Sequence, residues 1–169
     1  MQGVLLYPLS RIFYVLWLTF QLLSCSGKTP VNGDPQQVFF KVTRIIDGDT
    51  FYIDRDGREE RIRLIGIDAP ESRKSARKDI QYFGREAKDY LTKLLKGKKV
   101  RLEYDVTRLD QYKRTLAYAY LEDGLFLNAA LIEQGYATAL TVPPNVKYAG
   151  RFIDLQRQAR EHKKGLWNR

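Results

Sequence analysis

Side chains that could bind a metal ion and a phosphate group are concentrated in one short stretch of the chain, Arg61–Glu71. A guanidinium, Arg63, and two carboxylates, Asp68 and Glu71, follow one another there among aliphatic residues that favour a β-strand. Pro70 is expected to stop the strand because it cannot donate a ladder hydrogen bond. The stretch therefore predicts a guanidinium and two carboxylates near one strand end.

Two further clusters have the same chemical character. Ile46–Thr50 contains Asp47 and Asp49, and Asp110–Arg114 contains a second arginine. Asp49 and Asp68 are the best candidates for metal ligands, because short carboxylates at strand ends combine with backbone carbonyls into the oxygen-only sites that hard cations prefer. Asp47 is assigned to the turn, and a plain hairpin turn would explain Ile46–Thr50 if it stood alone. Carboxylates for a cation and arginines that fork onto phosphate are what metal-assisted phosphodiester cleavage requires.

The ordered motifs Ile46–Thr50, Arg63–Glu71 and Asp110–Tyr118 resemble those of the staphylococcal (thermonuclease-like) nucleases. The resemblance extends from about residue 38 to residue 167 and includes Leu127–Ala137 and Gly165–Trp167. It implies Ca²⁺ as cofactor, with the backbone carbonyl of Ala69 as a third ligand. Family members often have threonine at that position, and a backbone ligand tolerates alanine.

The resemblance also implies roles for four other side chains. Glu71 resembles the family's general base, Arg63 and Arg114 resemble its phosphate clamp, and Tyr112 resembles a tyrosine that contacts the nucleotide's phosphate. Each has a simpler alternative. Glu71 could be a charged loop residue and Arg63 part of a surface ion pair. Arg114 could be merely solvated, and Tyr112 could be an exposed aromatic at a strand edge.

The chain departs from the family pattern at two places. Lys113 replaces a common glycine, so the turn before Arg114 could have a different shape. The segment Ala139–Pro144 lacks a tyrosine that lies against the substrate base in well-known members, which bears on base preference and not on the reaction. A basic loop, Ser72–Lys78, follows the catalytic stretch. Its Arg73 and Lys74 are candidate substrate-binding residues that could follow a nucleic-acid backbone, although a solvated charged loop is equally possible.

The elements expected to position these residues are five strands and about three helices. The predicted strands are Val38–Ile46, Thr50–Asp54, Glu60–Ile67, Lys99–Tyr104 and Arg114–Leu121, and the predicted helices are Gln81–Leu95, Leu125–Gln134 and Phe152–Lys163. Asp56-Gly57 predicts a two-residue hairpin turn between the second and third strands. Five strands with a helix after the third predict an α+β fold that is mainly β. The expected architecture is a five-stranded Greek-key barrel of the OB type, as the resemblance also implies.

The length and charge of the chain limit its size class and its partners. With 169 residues the chain suffices for one domain, and its 29 Lys and Arg against 20 Asp and Glu give a net charge of +9. That balance favours a polyanionic partner, DNA or RNA, although an anionic membrane surface would also attract it. At 44% hydrophobic residues the chain is expected to fold, and we expect a monomer.

The N-terminal residues predict export. Residues 1–24 contain one charge, Arg11, and an apolar stretch too short for a comfortable membrane span but typical of a signal peptide. Leu22–Cys25 resembles a bacterial lipobox, which predicts a lipid on Cys25 and a protein attached to the cell envelope. An ordinary secretion signal or an uncleaved anchor are the alternatives. Residues 25–37 then form a flexible tether, and residues 38–169 form the domain.

Three functions are consistent with this sequence. The first is a calcium-dependent endonuclease of low sequence specificity that acts on DNA and RNA and, by the resemblance, leaves 3′-phosphate ends. The second is an inactive OB-type module that only binds nucleic acid. The third is an envelope protein whose charge binds the membrane. The presence of Asp49, Arg63, Asp68, Glu71 and Arg114 together favours the nuclease, since a binding module does not need all five.

Overall fold

The computed structural model describes residues 37–74 and 79–168. The predicted signal segment, Cys25, nearly all of the tether and residues 75–78 of the basic loop lie outside the described residues. The strands are β1 Phe40–Asp47, β2 Thr50–Arg55, β3 Arg58–Leu64, β4 Ile67–Asp68, β5 Lys99–Glu103, β6 Thr115–Leu121 and β7 Thr138–Ala139. The helices are α1 Gly84–Leu95, α2 Leu127–Glu133 and α3 Ala149–Glu161, followed by a 3₁₀ turn, Gly165–Trp167.

Five strands form a closed barrel in the order β1-β2-β3-β6-β5. The pairing of β1 with β5 closes the barrel, and β3 with β6 is its parallel pair. In that parallel register Arg63 lies opposite Leu116, two residues after Arg114. The closed mainly β barrel, with three helices among the described residues, confirms the predicted fold class. It brings the stretch Arg61–Glu71 and the cluster Asp110–Arg114 to neighbouring strands.

The turn between β2 and β3 has the geometry that its sequence predicts. Asp56 and Gly57 have φ values of 54° and 80°. Two consecutive positive φ angles define the turn type whose twist matches that of the flanking strands. The register of β2 against β3 follows from this turn and sets Thr50 opposite Arg63.

The prediction of one continuous strand over Glu60–Ile67 is wrong. β3 ends at Leu64, and Gly66 adopts a left-handed φ of +78° that breaks the ladder. The chain then forms β4, which pairs with β7 in a separate two-stranded sheet. β7 escaped prediction because two residues are too few to show an alternating pattern.

The first helix begins three residues later than predicted, because Phe83 has a left-handed φ of 65°. The apolar face of α1 packs on the barrel through Ala87, Leu91 and Leu95, each at most 1% exposed. α2 is almost wholly buried. None of the helices in the described ranges is long and apolar enough to cross a membrane.

Candidate active site

Arg63 is the centre of the site, and its guanidinium holds the turn between β3 and β4 together. Its Nη1 donates to the carbonyls of Leu64 (2.9 Å) and Ile67 (2.8 Å), which lie on either side of the break between β3 and β4. Its Nη2 lies 2.9 Å from Asp68 Oδ1 and 3.1 Å from Asp49 Oδ2. The Arg63 and Asp49 side chains are 12% and 9% exposed, so water screens that pair little, whereas the Asp68 side chain is 58% exposed and its pair with Arg63 is screened more.

Asp49 lies in the tight connection between β1 and β2, and both oxygens of its carboxylate accept hydrogen bonds. Oδ1 accepts from the Thr50 hydroxyl (2.8 Å) and Oδ2 from the Ala69 amide (2.9 Å). Gly48 permits this approach, because a Cβ there would lie 2.7 Å from that of Ala69 and 3.0 Å from that of Ala87. Gly48 therefore allows close packing of β1, β4 and α1.

The residues around Arg63 have the donor chemistry that a hard cation requires. The carboxylates of Asp49 and Asp68 contact the same nitrogen of Arg63, so they are neighbours, and the backbone of Ala69 lies beside Asp49. All these donors are oxygens, as Ca²⁺ and Mg²⁺ prefer, and the exposed Asp68 is accessible from solvent. Within residues 37–74 and 79–168 no cluster of three or more His, Cys, Asp or Glu could hold a metal ion. A bound cation would therefore need water, carbonyl or substrate oxygens besides the two carboxylates.

Glu71 lies next to Asp47, immediately before the basic loop Ser72–Lys78. Burial raises the pKa of Asp47, hydrogen bonds from Ser72 and Gly48 oppose that shift, and a side-chain hydrogen bond with Glu71 raises the pKa further. Asp47 thus secures its own turn and the start of the loop, as its sequence position suggested. Gln81 holds the other end of the loop. Its side-chain Oε1 accepts from the backbone amide of Glu71, and its own backbone amide donates to the Glu71 carbonyl, both at 3.0 Å.

Arg114 is positioned by Asp110, whose carboxylate organises the whole third cluster. Asp110 Oδ1 accepts from the backbone amides of Tyr112 (2.8 Å) and Arg114 (2.9 Å), and Oδ2 accepts from Arg114 Nε (2.6 Å). Burial alone would raise the pKa of Asp110, but the hydrogen bonds and charge of Arg114 lower it below its ordinary value. Among the described residues no hydrogen bond or ion pair uses the two Nη atoms of Arg114, so both can face a phosphate.

Lys113 forms part of the turn before Arg114. Its φ is +60°, in the left-handed region that favours glycine, and its amide donates to the Asp110 carbonyl at 3.0 Å. The effect of Lys113 on the shape of the turn, relative to a glycine, stays a prediction. Tyr112, exposed at 64%, projects beside Arg114, whose guanidinium carbon lies 5.4 Å from its ring centre.

Both arginines line one cleft of about 440 Å³, which also includes Tyr112. The far wall of this cleft is formed by Leu140, Val142 and Pro143, in the segment that lacks the family's tyrosine. A base in the cleft would meet aliphatic and proline surface there, which gives contact area without the directional stacking of an aromatic ring.

Arg73 and Lys74 lie outside the residues that line this cleft. Arg73 Nη2 donates to the Ile46 carbonyl at 2.6 Å, at the end of β1. Lys74 Nζ is 3.5 Å from Asp79, and both side chains are largely exposed. Arg73 is thus fixed on the barrel, whereas Lys74 makes a surface ion pair of little energetic weight.

Sequence reasoning assigned no role to Asp110, Gln81 or Gly84. An aspartate two residues before a turn amide predicts a side-chain-capped turn, so Asp110 could have been identified. The sequence contains no comparable signal for Gly84, although a Cβ there would lie 2.2 Å from the Glu71 carbonyl oxygen. That glycine allows the N-terminal end of α1 to pack against the backbone of Glu71.

Comparisons with known proteins show to which family the chain belongs. A family model described as staphylococcal nuclease homologue matches residues 61–169. The thermonuclease of Staphylococcus hyicus is 39% identical over 156 residues, 91% of this chain and 91% of that protein. The thermonuclease of Staphylococcus intermedius is 38% identical over 172 residues, 99% of this chain and 96% of that protein. Endonuclease YncB of Bacillus subtilis is 33% identical over 128 residues, 75% of this chain and 60% of that protein. A matching family model over more than half of the chain, together with these relatives, means that the chain belongs to the staphylococcal nuclease family.

Proposed function

We propose that this protein is a calcium-dependent endonuclease that hydrolyses DNA and RNA with low sequence specificity. The observation that carries the proposal is that Arg63 and Arg114 line one cleft, with Asp49 and Asp68 held against Arg63. Membership of a nuclease family supports phosphodiester hydrolysis as the reaction.

The two arginines would bind the scissile phosphate from different elements. Arg114 presents both Nη atoms because Asp110 occupies only its Nε edge. Nε of Arg63 enters none of the contacts that anchor its guanidinium, so it can donate to a phosphoryl oxygen without releasing the β3–β4 turn. Fixed donors stabilise the extra negative charge of the transition state more than that of the bound substrate.

Glu71 would act as the general base that takes the proton of the attacking water. Its backbone is held at both amide and carbonyl by Gln81 and its side chain meets Asp47, so its position does not depend on substrate. Asp49, Asp68 and the Ala69 carbonyl would hold Ca²⁺. When bound, this ion supplies positive charge to the phosphoryl oxygens and lowers the pKa of a coordinated water.

The apolar part of the cleft lining supports low sequence specificity, although the polar side chains of Gln111 and Asn145 also line the cleft. Leu140, Val142 and Pro143 can contact any base but carry no side-chain hydrogen-bond donor or acceptor. The charged contacts are directed at phosphate, which is the same at every nucleotide. We propose that cleavage breaks the 5′-oxygen bond and leaves 3′-phosphate ends.

The direct test incubates the purified protein with plasmid DNA in calcium and in excess chelator. We expect cleavage in calcium and none in chelator, and Glu71→Gln should remove most turnover while leaving DNA binding intact. Glu161→Gln, which neutralises an exposed carboxylate at the end of α3, is the matched control and should cleave like the parent. New fragments should resist 3′ extension by a polymerase until a phosphatase has removed their 3′-phosphate.

Two outcomes would overturn the proposal. Tight DNA binding without cleavage over a range of calcium concentration and pH would favour a module that only binds nucleic acid. Undiminished cleavage by Glu71→Gln would remove Glu71 from the mechanism.

We also propose that the protein is exported and attached to the cell envelope by a lipid on Cys25, with secretion as the alternative. The support is the sequence of residues 1–25 alone. Expression of the parent and of Cys25→Ser, followed by separation of membrane and soluble fractions, tests it. Equal membrane association of both proteins would overturn the lipid anchor.

A further inference from the structure

A second groove runs along the outside of the barrel between β1 and α1. This β1–α1 groove has a volume of about 370 Å³ and is lined by Val42–Ile45 of β1 and by Lys88, Thr92 and Leu95–Gly97 at α1. None of its lining residues belongs to the cleft that contains Arg63 and Arg114. The catalytic proposal therefore does not explain this groove.

The groove is basic. Among its described lining residues Arg44, Lys88 and Lys96 carry positive charge and none is acidic. In the described part of the chain Lys88 and Lys96 make no ion pair, and they lie about 12 Å apart along the helix axis. Thr43 and Thr92 also line the groove, but their hydroxyls already donate to Glu59 Oε1 and to the Lys88 carbonyl, so the cations are the groups left to bind a ligand. Several cations in one groove without acidic lining residues fit a polyanion.

Arg44 is the one partly neutralised cation of the groove. Its Nη2 lies 3.0 Å from Glu59 Oε2, and Glu59 Oε1 accepts from the Thr43 hydroxyl at 2.9 Å. The guanidinium also lies over the Tyr52 ring, 4.3 Å from its centre. A phosphate in the groove would compete with Glu59 for Arg44, so this carboxylate should weaken binding.

Both walls of the groove lead to the candidate active site. β1 ends at Asp47, two residues before Asp49, and α1 begins at Gly84, against the Glu71 carbonyl. Arg73 is bound to the Ile46 carbonyl at this end. Arg73 therefore adds a cation at the end of β1, next to Ile45 of the groove lining.

We propose that the β1–α1 groove binds the phosphate backbone of the same nucleic-acid strand that is cleaved between Arg63 and Arg114. This inference rests on the proposed function. The groove holds the strand at phosphates several nucleotides from the scissile bond and contributes to the binding of long strands. It reads no bases, because its charged groups recognise only phosphate.

The test compares Lys88→Gln/Lys96→Gln with Lys93→Gln/Lys163→Gln, which removes the same charge from exposed positions outside the groove. Binding of a long labelled single strand is followed by fluorescence anisotropy in excess chelator, where no cleavage is needed. Each lost phosphate contact should lower the slope of log affinity against log salt by roughly 0.7. We expect a slope shallower by about 1.4 and roughly tenfold weaker binding at low salt for the groove variant.

Hydrolysis of a short and a long substrate distinguishes the groove from the candidate active site. A nitrophenyl phosphodiester of a single nucleotide is too short to reach the groove, so its kcat/KM should be the same in parent and groove variant. KM for long single strands should rise in the groove variant and stay unchanged in the control. Glu59→Gln, which frees Arg44, should strengthen binding of the long strand.

Equal salt slopes for groove and control variants would overturn the inference, even if the parent cleaves DNA. Binding of anionic vesicles that is lost in the groove variant, with strand binding unchanged, would overturn it in favour of a membrane surface. A parent that binds strands through the groove without cleaving them would refute the proposed catalytic function and leave the groove as a binding site.

Discussion

Replacement of Asp110 by asparagine tests whether a single carboxylate positions Arg114. Asparagine can keep the oxygen that accepts from the amides of Tyr112 and Arg114, but it loses the charge and the acceptor for Arg114 Nε. A hydrogen bond between charged partners contributes about 1.5–3 kcal/mol. The Asp110 and Arg114 side chains are 15% and 23% exposed, so solvent screening reduces the expected loss to about 1–2 kcal/mol.

The expected results follow from that loss. The melting temperature should fall by about 3–6 °C. With Arg114 no longer held at Nε, kcat should fall by about tenfold to a hundredfold, since a clamp misplaced by about 1 Å loses most of its effect. Asp154→Asn is the matched control, because it breaks an exposed aspartate–arginine pair at 2.7 Å, and it should cost less than about 0.5 kcal/mol and leave kcat unchanged.

The pH dependence of this loss has a defined sign. The pKa of Asp110 is lower in the folded protein than its unfolded value of about 3.9. The carboxylate therefore stabilises the fold fully above that value, and the stabilisation is lost as the pH falls through the folded pKa. The difference in unfolding free energy between parent and Asp110→Asn, measured by urea titration, should be constant from pH 7 to about 5 and shrink at lower pH. Equal losses of unfolding free energy for Asp110→Asn and Asp154→Asn at neutral pH would refute the positioning role of Asp110. An unchanged kcat of Asp110→Asn would refute it as well.

Three further substitutions test the supports of the site. Lys113→Gly should raise the free energy of unfolding, measured by urea titration, by about 0.5–1 kcal/mol, since relief of a left-handed φ of +60° outweighs the entropy of glycine; a lower free energy of unfolding would contradict this. Gly48→Ala should cost about 1–3 kcal/mol in a thermal melt and also lower kcat, because its Cβ would meet Ala69 at 2.7 Å; unchanged kcat would argue against this packing role. Asn128→Ala should cost roughly 2–5 kcal/mol in guanidinium unfolding, because buried Asn128 bonds Ile65 O at 2.8 Å and a second backbone group; a loss under about 1 kcal/mol would contradict it.

The sequence alone was enough to predict the fold class and the residue types of the site. Alternating β-branched residues, the Asp56-Gly57 turn and the helical spacing of Ala87, Leu91 and Leu95 are local signals, and the barrel and α1 follow from them. The ordered motifs indicated the family, which the comparisons confirm. These features depend on neighbours in the chain, and periodicity reports neighbours directly.

The contacts that position the catalytic groups were decided by the tertiary structure. No periodicity shows that Arg63 closes the β3–β4 turn while it holds Asp49 and Asp68, because those partners approach it only after the barrel has closed. The break at Gly66 has the same origin. A glycine in an aliphatic run is compatible with a strand or a turn, and its pairing context selects the left-handed turn.

The β1–α1 groove also exists only in the folded chain. Arg44 is separated from Lys88 and Lys96 by more than forty residues of sequence, and packing of α1 against β1 brings their charges into one groove. The sequence determined that the chain is basic, since charge is a sum over residues. Where those charges meet is a property of three-dimensional packing, because long-range contacts join residues that no local pattern relates.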